Sequence, residues 1–172
     1  GDVMYEDEVS QNQYRRLIDV GDEWVNQVQI KDSTFVFSLD QPAKSTVRVG
    51  KGVRLEMRMC VGLAVEAVGS GFELIARDCE MEGQGLQTYI NITNVDFPVF
   101  LSLQGCSVGS LLSTGTSPSL RVDFIENTFK SRPNATLVAA IGRSFNNLAH
   151  PDVTGDLTWL RYRVNLALFK DG

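Results

Sequence analysis

Apolar and polar residues alternate along most of this chain, and that period of two decides its secondary structure. In Val53-Arg54-Leu55-Glu56-Met57-Arg58-Met59 every odd residue is apolar and every even one is charged. Residues 160–168 repeat the pattern with the apolar set on even numbers. Successive side chains of a strand point to opposite faces, so each such segment buries one face and wets the other. Strands with one wet face are the usual content of antiparallel sheets, and the alternation therefore predicts an all-β, antiparallel sandwich of eight or nine strands.

Strands are expected at 35–39, 47–49, 53–65, 72–76, 88–93, 97–104, 120–126, 135–142 and 157–169, separated by Gly and Pro turns. The alternation from Val53 through Val65 is long for one strand, which predicts a bulge near Cys60-Val61-Gly62. Residues 107–119 and 146–155 read as loops, and no internal repeat stands out. The N-terminal part differs. Val9, Tyr14, Leu17 and Ile18 fall near helical spacing, Ser10 and Gln13 suit a capping box, and Gly21 follows. Residues 1–32 thus read as an arm with a short helix over 9–19, and residues 33–172 as the sandwich.

The net charge of −5 argues against a general nucleic-acid binder, which needs clustered Lys and Arg to neutralise phosphates. Residues 97–120 carry no charge, yet they contain two Pro, three Gly and many hydroxyls, so the run does not suit a bilayer helix. No direct membrane insertion is expected of this stretch, and the Gly1-Asp2 start suggests a piece of a longer chain.

Catalytic chemistry is poorly represented. His150 is the single histidine and sits beside Pro151 in a polar loop, where an exposed bystander is the simpler reading. Gly105-Cys106-Ser107-Val108-Gly109 matches G-x-S-x-G, but a nucleophile elbow needs a helix after the Ser, and 110–118 shows no helical period. Asp78, Glu80 and Glu82 alternate and offer oxygen ligands for calcium, although solvated carboxylates explain them as well. No metal site, cofactor or catalytic residue is expected, and the chain reads as a non-enzyme. Cys60, Cys79 and Cys106 form no CxxC. They fit either buried free thiols or a Cys79–Cys106 disulfide, the latter implying a secretory compartment. The sequons at Asn91 and Asn134 point the same way.

The order of features resembles the C-terminal half of a zona pellucida module over about residues 33–145. The elements that carry the likeness are Phe35 to Leu39, the Val47-Arg48-Val49-Gly50 entry into a long alternating strand, the strand ending at Cys79, the Gly105-Cys106 pair, and Phe124 to Lys130. The resemblance implies an Ig-like fold, a Cys79–Cys106 disulfide, and an extracellular structural or adhesion role through protein–protein contact and self-assembly. Departures from the pattern are the absence of cysteines after Phe129 and the additional Cys60. A viral or phage coat or spike sandwich is the alternative, with the virion as its location.

Overall fold

The computed structural model describes residues 16–20, 27–33, 46–49, 52–62, 64–69, 71–82, 87–92 and 98–161. Within them the chain winds repeatedly around one interior. The first turn contributes β1 (Arg16–Val20) and β2 (Gln27–Lys31), and the second β3 (Thr46–Val49) and β4 (Arg54–Arg58). The third adds β5 (Ala64–Gly69), β6 (Glu73–Arg77) and β7 (Glu80–Met81), and the fourth β8 (Gln87–Ile92), β9 (Val99–Gln104) and β10 (Ser107–Val108). The fifth holds β11 (Ser110–Thr114), β12 (Leu120–Ile125) and β13 (Thr128–Phe129). The sixth replaces its first strand by α1 (Ala135–Ala139) and continues through β14 (Ile141–Phe145) and β15 (Leu148–Ala149) to a 3-10 turn, Thr158–Leu160.

Equivalent strands of successive turns stack into three faces, ordered β1-β3-β5-β8-β11, β14-β12-β9-β6-β4-β2 and β15-β13-β10-β7. Every one of these pairings is parallel. The architecture is a parallel β-helix, and this overturns the expected antiparallel Ig-like sandwich. The physical reason is that alternation reports one dry and one wet face per strand and carries no information on strand direction. Parallel strands need a long crossover between them, and in a solenoid the crossover is the rest of the turn.

Local expectations change with it. The helix expected over 9–19 is a strand where it is described, at Arg16–Val20, and residues 9–15 lie outside the described part. Residues 135–139 are helical instead of extended, and residues 158–160 form a 3-10 turn where a long strand was expected. The supposed loops 107–119 and 146–155 contain β10, β11 and β15. The strand expected at 35–39 lies outside the described residues.

Inward side chains stack as files one rung apart. Leu55, Leu74, Leu101 and Val122 form one file, and Met57, Ala76, Leu103 and Phe124 another. All eight are buried. Each strand of the six-stranded face ends at a residue with positive φ: Asp32, Met59, Asp78, Gly105, Glu126 and Asn146, at 51–66°. This left-handed residue turns the chain by a sharp corner, so the predicted bulge near Cys60 is in fact a corner at Met59. From the second of these corners on, the residue that follows points inward, giving a file of Cys60, Cys79, Cys106, Asn127 and Asn147.

That corner file ties the rungs together. Asn127 Oδ1 accepts from Cys106 N–H at 2.9 Å, and Asn147 Oδ1 accepts from Asn127 N–H at 3.0 Å. Their amide nitrogens donate to Leu103 O at 2.8 Å and Phe124 O at 2.9 Å. Thiols occupy the same slot on earlier rungs, Cys60 Sγ facing Ile30 O at 3.4 Å and Cys106 Sγ facing Ala76 O at 3.5 Å. At the C-terminal end the 3-10 turn sets Trp159 on the interior, edge-on to Phe129 at 5.0 Å and to Phe124 at 6.5 Å. The side chain of Asn134 holds α1 to β11, with three hydrogen bonds to Ser113.

Two substitutions test this framework by chemical denaturation. Asn127→Ala strands buried backbone groups and should cost on the order of 1–3 kcal/mol. Trp159→Ala empties the end of the interior and should cost about 3–5 kcal/mol. Effects no larger than that of Ala at the exposed Thr128 would contradict the ladder.

Candidate contact surface on the six-stranded face

The outward residues of the six-stranded face fall into three files, because parallel register places like positions one above another. The last outward position of each strand gives Lys31, Arg58, Arg77 and Gln104 in direct register. Rungs repeat at about 4.8 Å, so three cations share a column about 10 Å tall. All four side chains are exposed. The corner residues Asp32, Met59 and Asp78 rise beside them, and the two columns enclose an open groove of about 480 Å³. At the next corner, Gly105, a Cβ would lie 2.5 Å from Asp78 Oδ1, on a backbone at φ +66°. The other corners of this face hold the same conformation without glycine, so it is the close approach of Asp78 that calls for glycine here.

The column itself is all positive, and Asp32 and Asp78 stand on the facing wall of the groove. Arg58 Nε meets Glu56 Oε1 at 2.8 Å, whereas Lys31 and Arg77 have no ion pair among the described residues. Met59, the most exposed large hydrophobic residue described at 61%, supplies an apolar contact between the charges.

The middle file faces outward, yet Glu56, Ile75 and Asp123 are buried. Glu56 accepts from Arg58 and, at 3.4 Å, from Gln29 Nε2. Asp123 is engaged by Arg121 and Arg143. The two carboxylates stand three rungs apart, about 14 Å, well beyond the separation of a glycosidase acid–base pair. The third file pairs opposite charges across a rung, Arg54 with Glu73 at 3.6 Å.

The residues singled out by sequence are dispersed. Cys79 and Cys106 sit on adjacent rungs in the interior, each thiol facing backbone carbonyls (Arg77 O at 3.2 Å, Gln104 O at 3.4 Å), with Cys60 one rung further; all three are free thiols. Burial pushes the Cys60 thiol up. The hydrogen bond to Cys106, reinforced by burial, holds Cys79 far above the ordinary thiol range, and the same bond lowers Cys106. Asn91 faces outward on β8 and accepts from Thr114 Oγ1 at 3.2 Å. Asn134 is committed to Ser113, so a glycan on its Nδ2 would have to release the 2.8 Å bond to Ser113 O. Ser107 lies on a strand paired to Thr128 and Glu80, without the turn into a helix that a nucleophile elbow requires. His150 is exposed, its Nδ1 accepting from Asp152 N–H at 3.2 Å. Glu82 pairs with Lys130 at 3.0 Å, apart from Asp78 at the corner. No group of three metal-ligating side chains comes together among the described residues.

The cation column was missed because it is visible only when rungs are aligned. Lys31-Asp32-Ser33, Arg58-Met59-Cys60, Arg77-Asp78-Cys79 and Gln104-Gly105-Cys106 are one tripeptide in register: outward polar, left-handed corner, then a small residue that is buried in the three cysteine rungs. Compared with protein-family models, curated proteins and solved structures, the chain gives no match.

The raised Cys60 thiol makes stability depend on alkaline pH. A thiol whose folded pKa lies above its unfolded one stabilises the protein below the unfolded value, 9.0, and that contribution is lost as pH rises through the folded value. The melting temperature should therefore fall above pH 9, and Cys60→Ser, which keeps a donor in the slot, should fall less steeply. Parallel pH profiles for the two proteins would show that Cys60 is not the group responsible.

Proposed function

We propose that this chain is a non-catalytic extracellular structural or adhesion module that acts by protein–protein contact, using the groove beside the cation column. The observation that carries the reading is the same-sign file Lys31–Arg58–Arg77. In-register like charges about 4.8 Å apart repel, and a sheet gains by mixing signs, as it does at Arg54–Glu73. Glu56 beside Arg58 and the corner residues Asp32 and Asp78 offset part of that charge, and Lys31 and Arg77, with no ion pair among the described residues, are left for a partner's carboxylates. The lining of the groove runs along the stacking axis from Lys31 to Gln104, so it fits an extended acidic segment of another protein, with Met59 as the apolar contact. Such complementarity sets orientation and association rate more than affinity.

The outward position of Asn91 on β8 fits a secreted setting, where a sequon can be used. The zona pellucida resemblance adds nothing to this reading, because the fold it implied is not the fold found.

A labelled polyglutamate peptide, followed by fluorescence anisotropy, tests the groove. Binding should be measurable at low ionic strength and should weaken as salt is raised. The Lys31→Glu/Arg77→Glu variant changes two exposed residues and should keep the β-rich circular dichroism spectrum while losing at least tenfold in affinity. Equal affinity of variant and parent, or no binding by the parent, would remove the groove from the function.

A further inference from the structure

At the other end of the six-stranded face, two guanidiniums converge on one buried carboxylate. Asp123 is 1% exposed. Its Oδ1 accepts from Arg143 N–H at 3.1 Å and from Arg121 Nε at 3.4 Å, and its Oδ2 accepts from Arg143 Nε at 3.2 Å. Both arginines are largely exposed, at 58% and 66% of their side chains. Among the described residues neither donates a hydrogen bond through its Nη atoms.

Three features hold the pair in this arrangement. The pairing of β12 with β14 skips Gly142, so that Val122 faces Ile141 and Asp123 faces Arg143. Without that bulge, Arg143 would point into the interior; with it, the side chain emerges over Asp123. Gly142 also keeps the space clear, since a Cβ there would lie 3.2 Å from Arg121 Nε and 3.4 Å from Asp123 Oδ1. Arg121 in turn rests over the ring of Phe100, 5.7 Å from its centroid.

We propose that Arg121 and Arg143, positioned by Asp123, form a binding site for a tetrahedral oxyanion, a phosphate or sulfate group. One carboxylate balances one of the two guanidiniums, so the cluster carries one excess positive charge. Each Nε is already engaged with Asp123, which tethers both guanidiniums to one carboxylate, and with both side chains largely exposed their Nη donors are left for a ligand. A planar fork of donors is the geometry that recognises oxyanions by paired hydrogen bonds. The site stands apart from the Lys31–Arg77 groove and does not depend on it.

The test follows the arginine Nε–Hε resonances of the intact chain by NMR during titration with inorganic phosphate, inorganic sulfate and glucosamine 6-sulfate. Saturable shifts confined to Arg121 and Arg143 are expected. Tighter binding of the sugar ester would identify an anion carried on a glycan, and equal or tighter binding of the inorganic ions a free oxyanion. Arg121→Lys and Arg143→Lys keep the charge but lose the fork, and each should weaken binding at least tenfold; unchanged affinity in both would overturn the proposal. Asp123→Asn gives a second criterion. Simple charge attraction predicts tighter binding when the carboxylate is removed, whereas positioning by Asp123 predicts weaker binding. Should Asp123→Asn fail to fold, the lysine variants still decide the matter. Unsaturable shifts, or equal shifts at Arg54 and Arg77, would also overturn it.

Discussion

The structure depends on the in-register stacking of one turn of chain upon the next. Parallel ladders supply most of the backbone hydrogen bonds, but a ladder is interrupted wherever the chain turns a corner. At the corner after the six-stranded face, the left-handed residue donates to the last strand residue of the adjoining rung, as Met59 N–H does to Arg77 O at 3.0 Å. The next residue turns its side chain inward, and on the later rungs that side chain is an asparagine. Asn127 and Asn147 then satisfy N–H and C=O groups that would otherwise be buried without partners. Cysteine takes the same place on earlier rungs because a thiol is small, apolar enough for the interior, and still a weak donor to the carbonyl above it. Each rung is completed by its neighbour, which makes stability close to a sum of nearest-neighbour terms.

Such a scaffold must protect its ends and edges. The five-stranded face would expose β11 as an edge in the described region; α1 lies beside it and Asn134 binds Ser113 through both its amide groups. The interior is covered at the C-terminal side by Trp159, while Asn147 donates to Leu160 O at 3.0 Å and joins the 3-10 turn to the corner file. The same register that stacks apolar residues inside also stacks charges outside. Where signs mix, as at Arg54–Glu73, the file neutralises itself. Where they do not, as at Lys31–Arg58–Arg77, or where two arginines share Asp123, the surface holds positive charge in a fixed geometry.

Much of this was legible locally and little of it globally. The segments 54–58, 73–77, 99–104 and 120–125 alternate as strands should, and their inward residues are the ones the pattern assigns to a core. Strand direction was not legible, since Leu55 packs inward whether its neighbour runs parallel or antiparallel. The two-residue strands Ser107–Val108 and Leu148–Ala149 are too short to show a period. The repeat was concealed by uneven turns: Asn127 follows Cys106 by 21 residues, and Asn147 follows Asn127 by 20, whereas the cysteine rungs are spaced irregularly. Helical spacing at Leu17 and Ile18 was misleading because few apolar positions satisfy either period in so short a window. The cysteines were recognised as chemically notable, but Cys60 was read as a bulge within one strand and Cys79 and Cys106 as the ends of two others, when their shared feature is the preceding left-handed corner.

The most direct measurement of the account is the pattern of long-range NOEs in the isotopically labelled chain. Parallel register predicts contacts along the file Leu55–Leu74–Leu101–Val122, between successive members only, with one direction of offset at every step. The corner file should give the same order, Cys60 to Cys79 to Cys106 to Asn127. Close Hα–Hα contacts between facing strands, the mark of antiparallel pairing, or contacts that join Leu55 directly to Val122, would contradict the stacked solenoid and every surface derived from it.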